Sequence, residues 1–369
     1  MQTPDVLDIQ ALTAPIPGAN PAGEDLRQDF SATAPFQRLR DLRGQIRSQE
    51  RAADAEDESA QPIAEWRQVI ASGAELLAQR SKDLEIAAMM IEGLARVYGY
   101  AGLRDGFRLV HALVEQHWDG LHPQPDEDGV ATRLRPITGL NGEGAEGTLI
   151  QPVRKIPMVR GQQGHYGLWQ IAQAGEIAAL DPDRRQQRLA AGGVDLDAVR
   201  KAAGEMDAAA AATLIADIAA AQDAFQQLSA VLDQRCGPEA PPSSNIRKVL
   251  EAAHDAAMLV LGDRLPARSS AAADGTEAAG HPAPTAAAGV VRSAAGPGEI
   301  RDREDAFRLI ETAAAWFRRM EPQAPISYTL QDAVRRARLP LPELLQELIR
   351  DETARGDFLI AAGIKPRSE

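Results

Sequence analysis

The sequence predicts an all-α protein, a multi-domain set of helical bundles joined by a flexible Ala/Gly/Pro-rich linker. Three observations predict it. Apolar residues recur at three- and four-residue steps over long stretches, as a helix with one buried face requires. The runs stop at glycine and proline breakers. A 44% apolar content with only 4% aromatics suits small helical domains rather than one large core.

The first strong pattern is IAEWRQVIASGAELLAQR, where Ile63, Trp66, Ile70, Gly73 and Leu77 share a face that must be buried. Ser81 then stands where an N-cap would, and Asp83 and Glu85 suit the positive end of the next helix. Leu84, Ala88, Ile91, Ala95 and Tyr98 continue the spacing until Gly99, which is expected to end that helix. A third helix carries Leu103, Phe107, Val110 and Val114, runs into Trp118 and stops at Gly120 and Pro123. Three successive amphipathic helices with short links make a bundle.

From Gly129 to Gly167 the periodicity fades. RLRPITGL reads as a short helix, and TLIQPVRKIPMVRG as an extended piece that Pro152 and Pro157 keep out of a central strand. Alanine-rich helices resume near Leu180, and Leu214, Ile218, Phe225, Leu228 and Leu232 form one stripe before Gly237. A helix around NIRKVLEAAHDAAMLVLG closes this middle region. Residues 266–299 offer too few large side chains to offset the entropy of ordering them, so they read as a linker. Beyond it, Phe307, Ile310, Ala314 and Phe317 begin a compact helical domain, with Ser327 as a cap and Pro342 in a first turn. The expected organisation is therefore 1–170, 171–265, a linker over 266–299, and a small C-terminal domain over 300–369.

Charge and cysteine content narrow the function classes. The 53 acidic and 40 basic side chains give a net charge of −13, which repels phosphate backbones and anionic headgroups, so neither nucleic acid nor a membrane surface is an expected partner. One cysteine, Cys236, forms no internal disulfide, and the N-terminus lacks a secretory leader, so a cytoplasmic location is expected. No window approaches eighteen uninterrupted apolar residues.

The densest chemistry is HWDGLHPQPDEDG, residues 117–129. His117 and His122 are five apart, off the step that aligns ligands on one helix face, and no second His or Cys pair follows at zinc spacing. DEDG lacks the alternating oxygen ligands and closing glutamate of a calcium loop. The stretch reads instead as a helix end with Trp118 packed inward and the acids solvated. GEGAEG, residues 142–147, matches G-x-G-x-x-G but follows no strand and precedes Pro152, so it reads as a glycine-rich loop. No phosphate loop, G-x-S-x-G or H-E-x-x-H is present, and Cys236 has no nearby histidine in the sequence. The expectation is a non-enzymatic protein with no cofactor and no metal.

PIPGANPAGEDLR, KDLEIAAMMIEGLARVYGYAGLRDGF and HWDGLHPQPDEDGVATRLRPITGL, in that order, resemble the ImpA-type N-terminal domain of the TssA family, a core component of bacterial type VI secretion systems. The likeness covers roughly residues 15–170. Its signature positions here are Gly18, Pro21, Gly23, Glu24, Asp25, Trp66, Asp83, Leu84, the run from Trp118 through Asp119, Gly120, Leu121 and His122 to Pro123, and Arg133. In that family the Trp-Asp-Gly-Leu-His-Pro segment marks the exit of a bundle helix. The segment from Arg303 to Ile349 is similar to the tail domain of the shorter members, departing at Ala324 and Arg338.

The resemblance implies a structural protein that forms a homo-oligomeric ring through its C-terminal domain. Such a ring would help recruit or stabilise the baseplate and support assembly of the contractile tube and sheath, with tail and membrane-complex proteins as partners at the inner membrane. A relative acting at the distal end of the sheath shares the N-terminal domain but differs at the C-terminus. Composition points the same way. Leu339, Leu341, Leu344, Leu345 and Leu348 are more leucine than a module of about seventy residues buries alone, so Leu341, Leu344, Leu345 and Leu348 are the expected oligomerisation residues.

Overall fold

The computed structural model describes residues 2–29, 31, 34–55, 62–162, 164–265, 303–320, 325–339, 344 and 347. These fall into two units, one within Met1–Ala273 and one within Asp274–Glu369. Apart from one two-stranded hairpin, the described elements are helical. The expected linker over 266–299 lies outside the described residues, as do Leu341, Pro342, Leu345 and Leu348.

The first unit opens with α1 (Ile9–Thr13), α2 (Pro35–Ala55), α3 (Ile63–Gln79) and α4 (Leu84–His117). Helix α2 escapes the sequence reading because its charged face dominates its composition, although Phe36, Leu39 and Ile46 are buried at helical spacing. Trp66, Ile70, Gly73 and Leu77 of α3 are buried as predicted. The cap of α4 is Asp83, not Ser81: the Asp83 carboxylate accepts the amides of Glu85 and Ile86, while Ser81 sits in extended chain paired with Gly23. A carboxylate outranks a hydroxyl there because it also meets the positive helix end.

Gly99 interrupts α4 without ending it. Its φ of 59° and ψ of −135° break the path, and the chain re-enters the helix at Tyr100, three residues before the expected restart at Leu103. Tyr98, expected on the buried stripe, is instead 45% exposed beside this break.

Next come α5 (Val130–Asn141), α6 (Ile150–Lys155), β1 (Pro157–Gly161), β2 (Gly164–Gly167) and α7 (Leu168–Ala178). GEGAEG forms the loop between α5 and α6. The piece expected to be extended is helical in its first half. Pro152 is the third residue of α6, where the missing N–H has no intrahelical partner to lose, and Pro157 opens a hairpin strand.

Residues beyond 170 continue into α8 (Pro182–Ala190), α9 (Leu196–Glu205), α10 (Ala208–Cys236) and α11 (Ser244–Leu261). Residues on both sides of 170 share one apolar core. Phe225 of α10 meets Phe107 of α4 with ring centroids 5.0 Å apart, and Asn141 at the end of α5 accepts the first amides of α11, Asn245 and Ile246, at 3.0 Å. Helix α10 is long and apolar enough to cross a membrane by length and composition, yet Ile218, Phe225, Leu228 and Leu232 are buried in this core.

The second unit pairs α12 (Arg303–Met320) with α13 (Ile326–Arg338). Phe307 and Ala314 are buried, whereas Ile310 and Phe317 are only half-buried. Ser327 does not cap α13. It is the second helical residue and turned inward at 1% exposure, while Pro325 stands before the helix and accepts the amides of Tyr328 and Thr329 through its carbonyl.

Candidate functional site

Most of the signature positions converge on a buried node of three chain segments, 22–24, 80–84 and 120–123. The Lys82 amide donates to the Ala22 carbonyl at 2.7 Å, the His122 amide to the Lys82 carbonyl at 2.9 Å, and the Leu84 amide to the His122 carbonyl at 2.9 Å. The Glu24 amide donates to the Arg80 carbonyl at 3.1 Å. Two glycines permit this closeness. A Cβ on Gly23, whose φ is +78°, would stand 2.1 Å from the Arg80 carbonyl oxygen, and one on Gly120 would stand 2.9 Å from the Ala22 Cβ.

Side chains then satisfy the helix ends that meet at the node. Lys82, fully buried, donates from Nζ to the carbonyls of Leu12 at 2.7 Å and Leu77 at 2.6 Å, in the last turns of α1 and α3, where positive charge is favoured. Burial pushes the Lys82 ammonium down from its ordinary value to about 8. His117 places Nε2 2.7 Å from the Thr13 carbonyl. Arg133, 3% exposed, donates to the carbonyls of Trp118 at 2.8 Å and Pro123 at 3.2 Å, closing the end of α4, and its guanidinium lies 4.9 Å from the Trp118 ring. Burial disfavours the Arg27 charge, but bidentate bonding to Asp83 and a 2.7 Å contact with Glu85 outweigh it and raise its pKa.

A second cluster ties α2 to α3 and α4. Trp66 Nε1 donates to Glu50 at 2.8 Å, Arg96 binds the same carboxylate and lies 4.3 Å from the Trp66 ring, and the fully buried Glu92 holds Arg43 at 2.7 Å and accepts from Thr148.

The node thus gathers Gly23, Asp25, Asp83, Leu84, Gly120, Leu121, His122, Pro123 and Arg133. Asp25 caps the short turn that presents Arg27. Trp66 belongs to the second cluster, and Gly18, Pro21, Glu24 and Asp119 are exposed. Trp118 is half-buried rather than enclosed, whereas Asp119, Asp126, Glu127 and Asp128 are solvated. Leu344 is half-buried. Sequence reasoning missed Lys82, Arg27 and Glu92, for which no motif exists; a lysine directly before a helix-capping aspartate was the available signal.

Chemically, these groups hold backbone. Lys82, His117 and Arg133 are bonded to main-chain carbonyls, and Asp83 to amides and Arg27. His122 joins the node through its backbone, and neither of its ring nitrogens has a hydrogen-bond partner. Among the described residues, no three His, Cys, Asp or Glu side chains group as a metal site.

The sequence and the fold have known counterparts. The family described as "ImpA, N-terminal, type VI secretion system" matches residues 13–142, a span that contains all three segments of the node. The type VI secretion system component TssA1 of Pseudomonas aeruginosa is 29% identical over 364 residues, covering 95% of this chain and 99% of that protein. The chain is a TssA-type protein. A solved N-terminal domain including the conserved ImpA_N region of TssA from Burkholderia cenocepacia matches 70% of this chain and 94% of its own length with a TM-score of 0.58 at 24% identity, a likeness of fold. The TssA-type assignment makes this chain a type VI secretion component.

Proposed function

We propose that this TssA-type protein is a non-enzymatic assembly component that forms a ring through its C-terminal unit, recruits or stabilises the baseplate, and supports growth of the contractile tube and sheath. The observation that carries the reading is a division of labour. Buried charges of the first unit are used on its own backbone and on one another, while the two short helices α12 and α13 leave Leu309, Trp316, Ile326 and Tyr328 exposed at 39%, 47%, 41% and 62%, as many large apolar side chains as the much larger described first unit exposes at Tyr98, Trp169, Met258 and Leu259. Apolar surface of this kind on a small module favours association. Residues 300–369 carry 12 basic and 12 acidic side chains, so copies meet without net repulsion.

Tail-tube, sheath, baseplate and membrane-complex proteins are the partners in this reading, engaged from the cytoplasm at the inner membrane. The end-to-end coverage of TssA1 supports a shared domain plan. Tethered copies raise effective concentration, so weak contacts suffice.

Light scattering on the full chain and on residues 1–265 tests the proposal. The full chain is expected as a discrete oligomer and the fragment as a monomer with its helical signal intact. A monomeric full chain at micromolar concentration overturns it.

A further inference from the structure

Three charged side chains lie at the junction of α4 and α10, away from the node: Arg104 at 1% exposure, Asp105 at 0% and Asp217 at 6%. Charges in such a place are costly unless every one is bonded. Much of that bonding comes from the N-terminal segment. Asp217 of α10 accepts the Thr3 amide at 2.9 Å and the Thr3 hydroxyl; Asp105 of α4 accepts the amides of Val6 and Leu7, the latter at 3.3 Å. Arg104 donates to the Thr3 carbonyl at 2.7 Å, the Pro4 carbonyl at 3.2 Å and Asp5 at 3.1 Å, besides its 2.7 Å contact with Asp105 and a 3.8 Å approach to Asp217.

Apart from these bonds, the half-buried Val6 and Leu7 pack against the core, Thr3 is half-buried, and Pro4 and Asp5 are exposed. Its seating thus combines two apolar contacts with polar bonds to two helices at once, and those bonds are lost together when it lifts, because each buried charge then requires water. We propose that residues 3–7 are a releasable strap whose seating on Arg104, Asp105 and Asp217 sets how firmly α10, and with it the region after residue 170, is held to α4. Whatever engages the N-terminus of the chain would thereby loosen or secure the middle region.

The test is hydrogen exchange on the full-length protein carrying Thr3→Glu, which sets a carboxylate against Asp217, with Gln2→Glu at the neighbouring exposed position as the charge control. Thr3→Glu is expected to speed exchange of α10 and of residues 100–117 at least tenfold while α2 and α3 keep the parent rates, and Gln2→Glu to change neither. A deletion of residues 2–7 should give the same localised pattern. Unchanged rates in α10, or an equal acceleration across α2, α3 and α10, would overturn the strap, the first because the segment holds nothing and the second because it contributes only global stability.

Discussion

The two units place their charged groups differently, and the short second unit exposes as many large apolar side chains as the whole described first unit. Within Met1–Ala273, Lys82, Glu92, Arg104 and Asp105 are sealed inside and bonded, largely to backbone or to one another. On α12 and α13, the ion pairs of Arg335 with Asp332 and Glu347 lie at the surface, and aromatic side chains lie out beside them. Buried polar networks fix a single arrangement of the segments they join. Exposed apolar side chains on a short helical pair leave free energy to be gained from a neighbour. In the proposed reading, the contrast separates the part of the molecule that defines its own shape from the part offered to other copies.

The contrast can be broken most severely at Trp66. Trp66→Ala removes a fully buried ring and leaves Glu50 to Arg96 alone, so unfolding free energy should fall by about 3–5 kcal/mol in denaturant titration. A loss under about 1 kcal/mol would mean that the α2–α3–α4 cluster is not what holds the first unit. Gly23→Ala comes next. Its methyl meets the Arg80 carbonyl at a backbone angle few side chains adopt, and a loss of about 2–3 kcal/mol is expected, with Gly18→Ala, which meets no atom within 4 Å, costing less.

Trp118 sharpens the comparison, since sequence alone predicts an enclosed ring and the structure shows a half-buried one under Arg133. Trp118→Ala should cost about 1–2 kcal/mol, well short of Trp66→Ala. Equal losses at the two positions would place Trp118 in the core after all.

The smallest effect is a pH slope. Because burial holds Lys82 near 8 rather than 10.5, the unfolded chain binds a proton between those values that the folded chain has released. Stability from this group therefore rises as pH increases through that window and is flat below it. Comparing parent with Lys82→Met at pH 7 and pH 10 should show the parent gaining on the variant; a constant difference would mean that the Lys82 ammonium is solvated.

Much of this was legible in the chain. The three- and four-residue spacing in 63–77 and 84–117 located the bundle because apolar periodicity is what burial selects. Helix α2 was not, since Phe36, Leu39 and Ile46 are diluted by arginines whose partners, Glu85 and Glu92, lie forty or more residues away. Trp118 to Pro123 and Arg133 were visible as a signature, but their convergence with Gly23 and Lys82 depends on backbone pairing among three distant segments, which no local pattern encodes. The lodging of Pro152 in a first helical turn shows a similar limit: proline excludes a central strand, yet leaves helix starts and hairpin edges equally open.

The most direct test of the division between the units is light scattering on the full chain carrying Trp316→Asp and Tyr328→Asp, both at exposed positions of the second unit. The account predicts that the variant falls to monomers or small oligomers while its helical circular dichroism and main melting transition match the parent. A variant that keeps the parent's full oligomeric mass would contradict it.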